Sequence, residues 1–132
     1  MITLKKYHGL GNDYLIYDPN VNEEMLSERQ VQLLCRRNIG VGADGILYGP
    51  FFADGKITMR IFNPDGSEAE RSGNGIRIFS KYLKDAGYVK GQMYALTTKA
   101  GTVQVEFLEQ DGTQMKVDMG YAGFGADVVD AD

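Results

Sequence analysis

The chain has 132 residues, of which 43% are hydrophobic and 24% charged, and its formal net charge is −4. This length fits one domain, and a chain of this size buries roughly two-thirds of its unfolded surface. The net negative charge and the scattered basic residues argue against nucleic acid as a partner, because duplex binding usually needs a basic face. With one cysteine and one histidine, an intrachain disulfide is impossible and a metal site is not expected. No apolar run resembles a signal peptide or approaches the ~20 residues of a membrane span, so we expect a cytoplasmic protein with no membrane partner.

Two strands are predicted at the N-terminus. Residues 2–7 and 13–18 are rich in strand formers, and the sequence Gly-Leu-Gly-Asn at 9–12 separates them. Glycine and asparagine favour tight turns, so we expect a glycine-rich turn between the strands. The polar residues 19–24 follow as a loop.

The next segment, residues 27–38, predicts the first helix. Ser27 is a candidate N-cap, and Gln30 stands three residues later, as in a capping box. Leu26 and Val31 occupy the two positions of a hydrophobic staple. Cys35 falls on the apolar face of this helix, and we interpret it as a small buried hydrophobe rather than a catalytic thiol.

A second helix is predicted at about residues 75–86, between segments with strand character. Its buried stripe would contain Ile76, Phe79, Leu83 and Ala86, and Gly87 would end it. The segment 63–66, Asn-Pro-Asp-Gly, is a strong turn signal. The remaining predicted strands are 44–49, 56–62, 93–98, 102–108 and 114–119, with hairpin connections at 99–101 and 109–112.

These elements predict an α+β domain over residues 1–119, with seven or eight short strands and two helices. Strands flank the second, more apolar helix on both sides in sequence, so a mixed sheet or barrel wrapped around that central helix would bury it. Residues 120–132 are rich in Gly, Ala and Asp with little periodicity, and we expect a linker or tail.

The sequence Gly-Val-Gly-Ala-Asp-Gly at 40–45 matches the GxGxxG pattern of dinucleotide-binding proteins. That pattern binds a nucleotide when a strand precedes it and a helix follows it. Here a predicted helix precedes it and a predicted strand follows it. We therefore reject nucleotide binding at this motif.

The entry to the second helix is the best candidate for a ligand site. In Ser72-Gly73-Asn74-Gly75, small residues leave the first backbone N–H groups of the helix accessible, and the helix dipole favours an anion such as a carboxylate there. The alternative is an ordinary glycine-rich helix start. Asn12 and Asn63 could each offer an amide to a polar ligand, although each residue taken alone is more often a turn former. His8, the single histidine, is more often structural than catalytic in such a position. No Ser or Cys partner for His8 forms a nucleophilic triad in the sequence.

Taken together, four motifs resemble those of diaminopimelate epimerase. They are His8-Gly-Leu-Gly-Asn-Asp13, Gly40-Val-Gly-Ala-Asp-Gly45, Arg60-Ile-Phe-Asn-Pro-Asp-Gly-Ser-Glu-Ala-Glu70 and Ser72-Gly-Asn-Gly-Ile-Arg77. Their order and spacing fit, and the resemblance covers about residues 1–120. It implies one of two similar half-domains, each wrapping strands around a central helix, with a small amino-acid substrate in the cleft between them. The expected partner is thus a second half-domain or a second copy in a homodimer.

The resemblance also implies an activity, namely cofactor-independent epimerisation of diaminopimelate, a step of lysine biosynthesis. One group removes the Cα proton from one face, and another group delivers a proton to the opposite face. Asn12 and Asn63 would bind substrate, and Gly73 and Asn74 would offer N–H groups to its carboxylate. Ser72 stands where the family pattern has its catalytic cysteine, and a serine hydroxyl is a far weaker base than a thiol without a partner base. A related racemase or dehydratase acting on another amino acid and a non-catalytic, self-associating half-domain remain alternatives.

Overall fold

A computed structural model describes residues 2–9, 11–36, 43–70, 72–109 and 114–118, together with the backbone of Asp127–Asp130. Nine strands and two helices lie within this part of the chain. In order they are β1 (Leu4–Gly9), β2 (Asn12–Tyr17), α1 (Glu28–Cys35), β3 (Gly45–Ala53), β4 (Lys56–Phe62), β5 (Glu68–Ala69), α2 (Gly73–Asp85), β6 (Met93–Thr98), β7 (Gly101–Phe107), β8 (Gln114–Asp118) and β9 (Asp127–Asp130). Neither helix has the length and apolar composition needed to cross a membrane.

All nine strands belong to one mixed sheet. Its order is β1-β2-β3-β4-β6-β7-β8-β9, and the short β5 pairs with β4. The pairs β2–β3 and β4–β6 are parallel, whereas the other pairs are antiparallel. Parallel neighbours need a crossover connection, and the two helices lie in these crossovers. The α1 connection joins β2 to β3, and the α2 connection joins β4 and β5 to β6.

The helix α2 fills one side of this sheet. Ile76, Phe79 and Leu83 are fully buried on it, as the apolar stripe predicts. They share one core cluster with apolar side chains of six strands, including Ile16, Leu47, Met59, Leu96, Val105 and Met115. A helix shares a single core with six neighbouring strands of one sheet when that sheet curls around it. The predicted α+β fold, with a mixed sheet wrapped around a central helix, is therefore confirmed.

The helix α1 covers the opposite face of the central strands. Val31 and Cys35 pack there with Leu15, Tyr17 and other apolar residues, and Cys35 is buried, as predicted. Since Tyr14 and Ile16 face the other core, both faces of β2 are covered. A strand buried on both faces needs an uninterrupted apolar sequence, which explains the run at residues 14–17.

Several local predictions hold at the level of single residues. Ser27 caps α1, its Oγ accepts from the Gln30 N–H, and the Gln30 side chain accepts from the Ser27 N–H, which completes the capping box. Strands β4 and β6 have the predicted bounds, and the Gly66 N–H donates to the Asn63 carbonyl in the predicted turn. The predicted first helix, 27–38, ends earlier, at Cys35, because the backbone of its C-cap Arg36 is already extended. Residues 37–38 lie outside the described residues, as do residues 40–42 of the GxGxxG pattern.

Other bounds differ from the prediction. The helix α2 starts at Gly73 rather than at residue 75, because Ser72 caps it, and Ala86 is an exposed C-cap rather than part of the buried stripe. Strand β3 continues past Pro50 to Ala53, and its register with β4 shifts between Tyr48 and Phe51. A shift of this kind accommodates a proline, which cannot donate to the ladder.

Two strands have no counterpart in the prediction. The two-residue β5 is a strand because it pairs with β4. Within the segment 120–132, for which we predict a linker or tail, Asp127–Asp130 pairs antiparallel with β8 as β9. Neither segment carries an alternating pattern long enough to predict a strand. The domain boundary at residue 119 remains a prediction.

Candidate active site

The candidate site lies at one end of the sheet. Strands β2 and β3 start there, since Tyr14 is paired with Gly45, and β4 ends there, since Phe62 is paired with Ile46. The N-terminus of α2 comes to the same end, where the Tyr14 hydroxyl lies 3.2 Å from Ser72 Oγ. The fold thus gathers motifs that are far apart in sequence.

Ser72 forms the N-cap of α2. Its backbone is extended, and its Oγ accepts a hydrogen bond of 3.0 Å from the Gly75 N–H. Among the described residues, the N–H groups of Gly73 and Asn74 donate to no protein acceptor. Two free N–H groups at the positive end of a helix dipole suit an anion. This arrangement supports the carboxylate site predicted at this turn.

Asn12 is held against the first turn of α2. Its Oδ1 accepts from Asn74 Nδ2 at 2.6 Å, and Asn74 Oδ1 accepts from Arg77 Nη2 at 2.6 Å. On the other side, Asp44 Oδ2 accepts from the Asp13 N–H at 2.8 Å and lies 3.4 Å from Asn12 Nδ2. This chain of hydrogen bonds joins β2, the start of β3 and α2. It places Asn12 beside the free N–H groups, as the predicted substrate contact requires.

Asn63 directly follows β4, at the same end of the sheet, but its side chain is engaged elsewhere. Its Nδ2 donates to Ser67 Oγ at 3.0 Å, and its N–H donates to the Ser67 carbonyl at 2.8 Å. Within the described part of the chain, its amide makes no hydrogen bond to Asn12 or Asn74. Contact between Asn63 and substrate therefore remains a prediction.

His8 lies at the margin of the site. Its side chain is 72% exposed, and Nδ1 lies 2.5 Å from Asp13 Oδ1. The hydrogen bond to His8 holds the pKa of the Asp13 carboxyl below its usual range. Among the described residues, the hydrogen-bond partner of the His8 ring is Asp13 rather than Ser72.

Sequence reasoning missed three residues of this site, namely Tyr14, Asp44 and Arg77. Tyr14 and Asp44 form hydrogen bonds with residues far away in the sequence, and Asp44 also belongs to the GxGxxG pattern that was considered for nucleotide binding. Tyr14 and Ser72, for example, are 58 positions apart. Asp44 belongs to the glycine-rich motif at 40–45, and Arg77 lies one turn after the start of α2. The spacing of these residues in the sequence does not predict which side chains they contact. Among the described residues, no group of three His, Cys, Asp or Glu side chains is arranged to hold a metal ion.

Known proteins resemble this chain in sequence. The sequence model of the family described as Diaminopimelate epimerase matches residues 4–124. Diaminopimelate epimerase 2 from a Nostoc species is 45% identical over 120 residues, covering 90% of this chain and 42% of that protein. Diaminopimelate epimerase from Methanothermobacter thermautotrophicus is 42% identical over 138 residues, covering 100% of this chain and 48% of that protein. The chain spans less than half the length of these relatives.

Solved structures support the same fold. A probable proline racemase from Agrobacterium radiobacter has a TM-score of 0.70 at 16% identity, covering 89% of this chain and 41% of that one. A protein of the phenazine biosynthesis PhzF family from Bacillus anthracis has a TM-score of 0.65 at 21% identity, covering 88% of this chain and 39% of that one. At these identities the likeness concerns the fold alone. The family-model match and the sequence relatives, however, place the chain in the diaminopimelate epimerase family.

Proposed function

We propose that this chain provides one half of the active site of an isomerase that epimerises diaminopimelate from the LL to the meso form without pyridoxal phosphate. The observation that carries the proposal is the pair of free N–H groups of Gly73 and Asn74 beside Ser72. Names of the sequence relatives support diaminopimelate as the substrate. The proposed setting is lysine biosynthesis in the cytoplasm.

In this proposal, the substrate's α-carboxylate binds at the N-terminus of α2. The Gly73 and Asn74 N–H groups donate to its oxygens, and the helix dipole adds a favourable field. Arg77 adds a cation nearby, because its Nη1 lies 3.6 Å from where a Cβ on Gly73 would stand. Asn12, tied to Asn74, lines the same site and would contact polar groups of the substrate.

Binding the carboxylate here would place Cα close to residue 72. Inversion at Cα requires one group to remove the proton and a second group on the opposite face to return one. Residue 72 is positioned to serve one face. A second half-domain, or a second copy of this chain in a homodimer, would have to serve the other face.

Ser72 makes a weak base at this position. Proton transfer by a well-matched general acid or base contributes about 10²–10⁴-fold to a rate, and an unassisted hydroxyl supplies little of that. We therefore expect the chain alone to bind the carboxylate but not to epimerise the substrate at a useful rate.

The test is a titration of ¹⁵N-labelled chain with meso-diaminopimelate, followed by NMR. Resonances of the Gly73 and Asn74 N–H groups should move, whereas cadaverine, which keeps both amines but lacks both carboxylates, should leave them unchanged. Proline and trans-4-hydroxyproline, tested in the same way, examine the alternative of another amino-acid substrate. If diaminopimelate leaves both resonances in place, the proposed carboxylate site is wrong.

The chemical step is tested separately in deuterated water. The chain as it stands should leave the Cα proton of diaminopimelate unexchanged, and S72C should allow exchange if copies associate with the required geometry. Sedimentation with and without diaminopimelate reports that association. Rapid epimerisation by the unmodified chain would show that residue 72 does not provide the base.

A further inference from the structure

The hydroxyl of Tyr14 lies within hydrogen-bond distance of the Ser72 side chain. Tyr14 is 9% exposed, and its hydroxyl lies 3.2 Å from Ser72 Oγ. The same Oγ accepts the Gly75 N–H at 3.0 Å. Two groups capable of donating thus converge on one side-chain atom.

The direction of the Tyr14–Ser72 hydrogen bond follows from the burial of the two residues. By geometry, either hydroxyl can donate in this contact. Because Tyr14 is buried and its proton needs an acceptor, Tyr14 is the favoured donor and Ser72 Oγ the acceptor. A serine hydroxyl has two lone pairs and one proton. With Tyr14 as donor, the two lone pairs of Ser72 Oγ receive Gly75 and Tyr14, and the Ser72 proton is left to point outward, which the partial exposure of Ser72 permits.

The absence of a side chain on Gly75 leaves space for the side chain of residue 72 above the Gly75 N–H. A Cβ on Gly75 would stand 3.2 Å from Ser72 Cβ and 3.3 Å from its Oγ, and also 3.1 Å from Leu47 Cδ2. Contacts this short would force a neighbour to move. The absence of a Cβ therefore lets the atom at position 72 lie directly over the Gly75 N–H.

We propose that the Tyr14 hydroxyl and the Gly75 N–H form a two-donor cradle that stabilises negative charge on the side-chain atom of residue 72. Tyr14 is then a positioning residue that acts through residue 72. In this chain the cradle turns the Ser72 proton outward, so Ser72 donates to a bound anion instead of accepting a proton. With a thiol at this position, the same two donors would favour the thiolate. The use of the cradle in proton transfer rests on the proposed function, whereas the cradle itself does not.

The test measures the pKa of the thiol introduced by S72C, from its rate of alkylation by iodoacetamide as a function of pH. The unmodified chain, whose single thiol is the buried Cys35, provides the background rate. We expect the S72C thiol to titrate below the ordinary cysteine value of about 8.5. Adding Y14F should raise its pKa by about one pH unit, because a donor to the charged form is lost.

The matched control is Y17F in the S72C background. Tyr17 lies on the same strand, but its hydroxyl donates to the Glu24 carbonyl at 2.6 Å and its side chain packs in the other core. We expect no change from Y17F. S72C/G75A gives a second test, because the added Cβ crowds the side chain of residue 72 against the Gly75 N–H while Tyr14 is retained, and the thiol pKa should again rise.

The proposal is overturned if the S72C thiol titrates at the same pH with and without Y14F, or if Y17F shifts it equally. An unchanged pKa in S72C/G75A would also contradict it. These measurements need no substrate. The cradle can therefore fail while diaminopimelate still binds, and it can be confirmed even if diaminopimelate does not bind, so the two proposals are tested separately.

Discussion

The side-chain amide of Asn74, in the first turn of α2, donates to Oδ1 of Asn12, at the start of β2, across 2.6 Å. The two residues are 62 positions apart in sequence. This hydrogen bond links the start of β2 to the first turn of α2, where the N–H groups of Gly73 and Asn74 are free. The geometry of the proposed carboxylate site therefore depends on a contact between two distant motifs.

Replacing Asn12 with alanine should weaken this link. N12A removes the acceptor of the Asn74 amide, and losing one such hydrogen bond typically costs about 1 kcal/mol of unfolding free energy. Urea denaturation measures that cost, and the Gly73 and Asn74 amide resonances should shift. N63A is the control, since it removes a bond within the turn to Ser67 and should leave those two resonances in place. Equal shifts in both variants would contradict the prediction.

The buried carboxylate of Asp18 should be important for stability. It is 2% exposed, and its two oxygens accept from the Asn20 N–H and side-chain amide and from the Tyr82 and Tyr88 hydroxyls at 2.5–2.9 Å. D18N replaces one acceptor oxygen with a donor that faces other donors. We expect a loss of about 3 kcal/mol in urea denaturation, because several buried groups lose their acceptor.

Asp65 provides the comparison for D18N. Its exposed carboxylate accepts from the N–H and hydroxyl of Ser67 within one turn. Solvent can replace those bonds, so D65N should cost less than about 1 kcal/mol. If D18N and D65N lowered the free energy of unfolding equally, burial of the hydrogen bonds around Asp18 would contribute nothing to stability.

Tyr88 should make the protein sensitive to alkaline pH. Burial, followed by the hydrogen bond to Asp18, raises the pKa of Tyr88 from 10.0 to about 12. A group whose pKa is raised by folding stabilises the protein fully below its unfolded pKa, and that stabilisation is lost as pH rises through the folded value. Stability should therefore fall between about pH 10 and 12, and Y88F should reduce this fall. Absorbance at 295 nm reports the titration, and urea denaturation at each pH reports the stability.

Gly66 and Gly55 should respond differently to alanine. Both have positive φ, +92° and +72°, but a Cβ on Gly66 would stand 2.4 Å from Glu28 Cγ and 3.0 Å from the Glu28 carbonyl oxygen, whereas a Cβ on Gly55 meets nothing within 4 Å. In both variants, alanine in a left-handed backbone conformation lowers the free energy of unfolding by about 1 kcal/mol. G66A should lose at least ~1 kcal/mol more because of overpacking. Equal losses in thermal or urea denaturation would contradict the close approach of this turn to α1.

Local chemistry explains the elements that the sequence predicts well. The capping box of Ser27 and Gln30 lies within four residues, and the Asn63–Gly66 turn is set by its own residue types. The alternation in β4 spans seven residues and gives its bounds. Such signals need no distant partner, so they can be read directly from the chain.

Elements defined by their partners are less predictable. The segment Glu68–Ala69 becomes β5 because β4 lies beside it, and Asp127–Asp130 becomes β9 because β8 does. Pro50 argues against a continuing strand, yet β3 passes it by shifting register against β4. In each case the hydrogen-bonding partner, rather than the segment's own propensity, determines the outcome.

The sequence by itself determined the α+β class, the two helices, the central position of α2 and the glycine-rich start of that helix, because periodicity and turn signals are short-range properties. Only the tertiary structure decided which side chains meet at that entry. It placed Asn12 against Asn74 and the Tyr14 hydroxyl against Ser72 Oγ, and it left the Asn63 amide in its own turn. The physical reason is that these contacts depend on the parallel pairing and curvature of the sheet, which bring strands and helix ends together over separations of about sixty residues.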